Sequence, residues 1–265
     1  MITFSIVTIT YQAADVLQPT LDSVAMQDYE DLEHIIVDGA SKDDTMRLVE
    51  AHKEHLMRLH GEGRRVKVIS EPDKGLYYAM NKGLKMCTGD YVCFLNAGDR
   101  LPDPDTLSRI AATAEGAADG QMPAVLYGDT DIVDAEGNNL GHRYLSPPDE
   151  LSWRSFNNGM LVCHQAFYAR VDIAQQVPYD TSLRLSSDVD WCIRIMRLAE
   201  EKGLRLRRVP AVIAHYLQAG QSTKHHQRSL WERFVVMQRH YGFFPTIFRH
   251  LSFIPRALWR NVKKI

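Results

Sequence analysis

The chain has 265 residues, 45% of them hydrophobic and 24% charged, with a net charge of -2. This suffices for one large α/β domain with an appendage, falls short of two full domains, and excludes disordered or fibrous architectures. The near-neutral balance argues against nucleic acid as a partner, but nine Lys or Arg against one acid, Glu232, place +8 on residues 223–265 and -10 on the rest.

The four cysteines, Cys87, Cys93, Cys163 and Cys192, form no CxxC pair and sit in apolar stretches. They are expected to be buried thiols in a reducing compartment. The opening MITFSIVTITYQ is apolar but lacks a basic leader and is far shorter than the ~20 residues of a spanning helix, so it reads as a buried first strand.

In chain order, residues 3–10 predict a strand, 13–26 a helix, 34–37 a strand, 43–59 a helix, 66–69 a strand, 76–87 a helix and 91–95 a fourth strand. In the third helix Leu76, Ala79, Met80, Gly83, Leu84 and Cys87 recur at helical spacing and leave Asn81, Lys82 and Lys85 on the other face. Such alternation implies a parallel sheet with right-handed crossovers and helices on both faces. Further on, residues 124–133 and 140–144 predict a hairpin around the turn 135–138. A short helix near 149–155, a strand over 160–168, a helix over 186–202 between Ser186 and Gly203, and a strand over 206–215 complete the reading.

Ligands of open parallel sheets bind beyond the carboxyl ends of the strands. There the chain places Thr8, Thr10 and Tyr11, then Asp38 within VDGASKDDT, Asp73 within EPDKG, and Asn96-Ala97-Gly98-Asp99. Carboxylates gathered on one rim repel one another unless a cation lies between them, and Mg²⁺ or Mn²⁺ needs only one or two when substrate phosphates supply other ligands. Taken singly, each Asp could equally be a helix cap or turn residue. Neither GxGxxG nor GxxxxGK[ST] occurs, which argues against a dinucleotide fold and a P-loop.

Over about the first 220 residues these motifs resemble the family-2 glycosyltransferases, in particular those of colanic-acid and surface-polysaccharide biosynthesis. VTITYQ, VDGASKDDT and the run EPDKGLYYAMNKGLKMCTGDYVCFLNAGD carry the resemblance. It implies a GT-A (nucleotide-diphospho-sugar transferase) α/β fold over 1–222, with 223–265 as a basic helical C-terminal extension. It further implies an inverting, metal-dependent enzyme that moves a sugar from a nucleotide-diphosphate donor to a glycan or lipid-linked glycan hydroxyl. Thr8, Tyr11, Asp38, Asp73, Asn81, Lys82 and Asn96 would bind donor, with Lys74 a second helper at the phosphates. Asp99 would hold Mn²⁺ or Mg²⁺, with His215 a second candidate near metal or diphosphate. NAGD replaces the family's more common DADD or DSDD, so two of three carboxylates are absent.

Asp129 of YGD and His164-Gln165 of the HQxxFxR element would line the sugar or acceptor pocket. In LSSDVDW, Asp188 would be the catalytic base with Asp190 in reserve, its other reading being a first-turn carboxylate that favours the helix dipole. Gln221 and Ser222 would contact acceptor or phosphates. Two rivals stand beside this reading: a non-catalytic sugar-nucleotide or glycan-binding module, and a nucleotidyltransferase, which would carry a basic glycine-rich loop absent here. The tail mixes Trp231, Phe234, Phe243, Phe244, Phe248, Phe253 and Trp259 with arginines, which predicts either an anionic membrane surface as partner or a packed extension. The expected location is cytoplasmic, at the inner face of the membrane if the tail binds it.

Overall fold

The computed structural model describes residues 2–60, 64–116, 120–218 and 226–250. Strands β1 (Phe4–Thr10), β2 (Leu32–Asp38), β3 (Arg65–Ser70) and β4 (Tyr91–Phe94) alternate with helices α1 (Ala14–Ala25), α2 (Thr45–His60) and α3 (Leu76–Met86), as expected. Then follow α4 (Thr106–Glu115), β5 (Val125–Val133), β6 (Asn139–His142), two 3₁₀ turns (Trp153–Asn158 and His164–Ala166), β7 (Phe167–Arg170), α5 (Val171–Ala174), α6 (Ser187–Glu201), β8 (Leu206–Leu217) and α7 (His226–Tyr241).

The sheet runs β3-β2-β1-β4-β7-β5-β6, with β8 on the other side of β5. The first four strands are parallel, β7 is antiparallel to both neighbours, and β8 runs parallel to β5. All seven residues of β1 and of β2 are buried, which is why they read as unbroken apolar runs rather than as alternation. Helices cover both faces: Ile36 packs with Leu17, Leu21 and Val49 of α1 and α2, while Ile35 and Val37 join the larger core with Met80 and Leu84 of α3.

Three expectations need correction. Residues 160–168 are not one strand: Met160 and Val162 are buried without strand pairing, and the chain folds into the His164–Ala166 turn, where Cys93 Sγ donates to the Gln165 carbonyl at 3.3 Å, before β7 begins. Residues 100–123 carried no predicted element, yet Leu107, Ile110, Ala111 and Ala114 of α4 bury one helical face. Ser186 precedes α6 without capping it, its hydroxyl donating instead to the Ser229 carbonyl at 3.3 Å. The extension from residue 223 is helical where described, through α7 and residues 243–250, and Val236 enters the main core.

Candidate active site

The carboxyl ends of β1 and β2 are in register, Thr10 opposite Asp38. The Asp38 carboxylate accepts from Thr10 Oγ1 at 3.0 Å, Ser70 Oγ at 2.6 Å, and the Ser41 hydroxyl and amide at 2.5 and 2.9 Å. Burial alone would raise its pKa, and these donors outweigh burial and hold it below the usual carboxylate range. Tyr11 stands beside it, 68% exposed. A Cβ on Gly39 would lie 3.0 Å from the Tyr11 ring, so glycine keeps the floor under that ring clear. Past β3, Lys82 Nζ is 2.5 Å from Asp73 and 2.7 Å from Glu71, chiefly Asp73 raising its pKa. Lys74 is exposed.

A second group forms where β4 meets the His164–Ala166 turn and the start of α6. His164 Nδ1 lies 3.3 Å from Asp188 Oδ2, and its Nε2 lies 3.2 Å from Asn96 Nδ2. A proton on Nδ1 serves Asp188 and leaves Nε2 to accept from the Asn96 amide. Tyr77 donates to Asp188 Oδ1 at 3.3 Å. Burial would raise the Asp188 pKa; the His164 contact and the charge of Arg233 outweigh it and hold the carboxyl below its ordinary value. Asp188 sits in the first turn of α6, where the helix dipole also favours the anion, and keeps 18% of its side-chain surface exposed.

Asp99 is buried beside this group. Its oxygens accept from Gln165 Nε2 at 2.7 Å and the Leu217 amide at 3.0 Å, and burial nevertheless raises its pKa to about 6. Gly98 has φ +99°, a backbone conformation that strains any side chain, and a Cβ there would lie 2.5 Å from the Leu217 side chain and push it aside. Asn96 Oδ1 is buried without a partner. An anionic Asp99 and this free carbonyl oxygen are hard oxygen ligands suited to Mg²⁺ or Mn²⁺ when substrate phosphates complete the shell. Among the described residues no three His, Cys, Asp or Glu side chains cluster as a ready metal cage.

Other expected residues lie elsewhere. Thr8 is buried against His34 Nε2 at 2.9 Å, inside the sheet rather than on its rim. Asn81 spends both ends of its amide on the Tyr179 backbone, at 2.8 and 3.0 Å. Asp129 pairs with Arg208 at 3.0 Å, which also reaches Asp149. Asp190 points around α6 from Asp188, to Arg194 at 2.6 Å and His240 at 2.8 Å, so it ties α6 to α7. His215 pairs through its backbone with Arg100; burial lowers its pKa, and the charges around it are Asp131, Asp103 and Arg100. Gln221 and Ser222 lie outside the described residues. Tyr77, Arg143 and Arg233 were missed: Tyr77 fell in an apolar-looking helical face, and nothing local in sequence links either arginine to residue 188.

Residues 5–177 match the family model "Glycosyl transferase family 2". The chain belongs to that family. The transferase is 32% identical over 218 residues to a PGL/p-HBAD biosynthesis glycosyltransferase of Mycobacterium bovis, covering 82% of this chain and 77% of the relative. It is 26% identical to the amylovoran biosynthesis glycosyltransferase AmsB of Erwinia amylovora, covering 81% and 69%. Among solved structures it resembles S. aureus TarS 1-349 in complex with UDP-GlcNAc, with TM-score 0.67 and 17% identity over 95% of this chain and 73% of that one. It also resembles the mannosyltransferase PcManGT of Pyrobaculum calidifontis in complex with GDP-Man and Mn2+, with TM-score 0.63 and 18% identity over 92% and 66%. The transferase thus has the GT-A fold expected from its motifs.

Proposed function

We propose that this glycosyltransferase is an inverting enzyme that moves a sugar from a nucleoside diphosphate to the hydroxyl of a glycan or lipid-linked glycan acceptor, in surface polysaccharide or glycolipid synthesis. The observation that carries the reading is Asp188: an anionic carboxylate at a helix N-terminus, partly open, held by His164 and Tyr77 a few residues in space from the Asn96–Asp99 corner. The relatives named for PGL/p-HBAD and amylovoran biosynthesis, and the neighbours bound to UDP-GlcNAc and GDP-Man, support the substrate classes.

In this reading the nucleobase and ribose lie against Tyr11, Gly39 and Asp38, and the diphosphate lies toward Asp99 and Asn96. These two residues would hold Mn²⁺ or Mg²⁺, which supplies Lewis-acid stabilisation of the departing phosphate. Asp188 takes the proton of the acceptor hydroxyl as it attacks the anomeric carbon from the face opposite the leaving diphosphate, and a single displacement inverts the centre. His164 orients Asp188 on one side and Asn96 on the other, so the base and the phosphate end share one hydrogen-bonded unit. Gln165 holds Asp99 in place.

The test is nucleotide release from UDP-, GDP- and dTDP-sugars with Mn²⁺, with Mg²⁺ and with EDTA. Asp188→Asn should lower turnover about 10²- to 10⁴-fold while donor binding survives. Asp99→Ala should weaken donor binding and remove the response to metal. Undiminished turnover in Asp188→Asn would remove it as the base.

A further inference from the structure

Sequence sets α7 apart as an extension, yet its inner face is built into the site. Ser229, Glu232, Arg233, Val236 and His240 recur at spacings of three and four, one face of a helix. Glu232 Oε2 accepts from the Arg184 and Leu185 amides at 2.9 and 2.7 Å, in the segment that leads into α6. Together with the Ser186–Ser229 and Asp190–His240 contacts this fixes the register of α7 against the turn that delivers Asp188.

Arg233, beside Glu232 on that face, is thereby brought within electrostatic reach of Asp188, Arg143 and Tyr77. Its Nε is buried and has no hydrogen-bond partner. Leaving a buried donor unpaired is costly, more so for a charged group. Arg143 turns Nη1 to the backbone carbonyls of Leu145 at 2.9 Å and Leu161 at 3.4 Å, contacts that cancel none of its charge. Arg233 is therefore the guanidinium whose charge acts on Asp188, and Arg143 lies within reach of Arg233. The groups acting on Asp99 are Gln165, the Leu217 amide and His164, with no guanidinium among them.

We propose that Arg233, assisted by Arg143, forms a phosphate subsite beside Asp188, separate from the Asn96–Asp99 corner. The inference rests on the reading of this hollow as the place where acceptor meets donor. A guanidinium fork matches two phosphate oxygens at once, and Arg233, partly buried with its Nε–H unused, has a donor to spare for them. The phosphate comes either from an acceptor that carries one near its reacting hydroxyl or from the donor's leaving diphosphate.

The experiment uses the full chain and inorganic pyrophosphate as probe, followed by calorimetry and by the arginine Nε–H signals in NMR. Saturable binding that shifts the Arg233 signal is expected, weakened tenfold or more in Arg233→Met and less in Arg233→Lys. Arg239→Met, which removes only the α7 contact to Asp180, should bind as wild type. If nucleoside diphosphate displaces the probe, the subsite serves the donor; if both bind together, it serves the acceptor. The absence of saturable binding, or equal weakening by Arg233→Met and Arg239→Met, overturns the proposal. Binding is read without turnover, so an absent subsite and an inactive Asp188 give different results.

Discussion

Asn96 stands where many family-2 members carry Asp, and the geometry supplies a reason. Asp188 draws the His164 proton to Nδ1, so Nε2 presents a lone pair and needs a donor, which the Asn96 amide supplies. A carboxylate at 96 would face that lone pair and stand close to buried Asp99. Asn96→Asp should therefore lower kcat about tenfold near neutral pH, the worth of one such hydrogen bond. Steady-state kinetics check this, and a variant matching wild type would show that the Asn96–His164 contact does not matter to turnover. The Asn in NAGD was visible in the sequence as a departure; its partner, 68 residues away and set by a turn misread as strand, was not.

At the scale of elements, β1, β2, β4 and their helices were legible because fully buried strands and one-sided helices leave clear apolar patterns, and the half-buried edge strand β3 was legible from its alternating Val66, Val68 pattern. The β7 region was not, since burial of Met160 and Val162 in an irregular segment gives the same pattern as a strand. Site residues followed the same division. Asp38 and Asp99 were placed by strand ends alone, while the roles of Asn81 and Asp190 depended on which distant loop or helix packed against them. Thr8 belongs to another such long-range link: His34 of β2 touches Thr8 and, 2.9 Å away, His52 of α2. Burial holds both imidazoles neutral, His52 down to about 4 against an ordinary 6.5, with nearby Asp22 opposing and His55 adding to the shift. The unfolded chain thus binds protons that the folded one refuses. Stability should be full above about pH 6.5 and fall as pH drops from there toward 4, by on the order of 3 kcal/mol for His52 alone. Urea titrations at pH 7.5, 6 and 5 should show the fall, and His52→Gln should flatten it. An equal slope in that variant would assign the acid sensitivity to other groups.

On the scale of the whole molecule, the acidic body and basic tail divide the charge, and α7 joins them. No helix among the described residues is long and apolar enough to cross a membrane. The far side of α7 and the helical residues 243–250 nevertheless expose Trp231 (66%), Phe244 (72%) and Phe248 (70%). In the sequence these aromatic residues are followed by Arg249, Arg256, Arg260, Lys263 and Lys264, a composition suited to an anionic bilayer surface. An acceptor held by a lipid would then be presented to a site whose Asp188-bearing helix is held by α7. The full chain should float with vesicles containing anionic lipid and release in high salt, since the basic residues contribute through a screened field. A chain ending at Gly242 keeps α7, so it should stay folded, retain turnover of a water-soluble donor, and fail to float. Flotation of both chains would move the membrane contact to the catalytic domain, and flotation of neither would leave the aromatic residues to a protein partner.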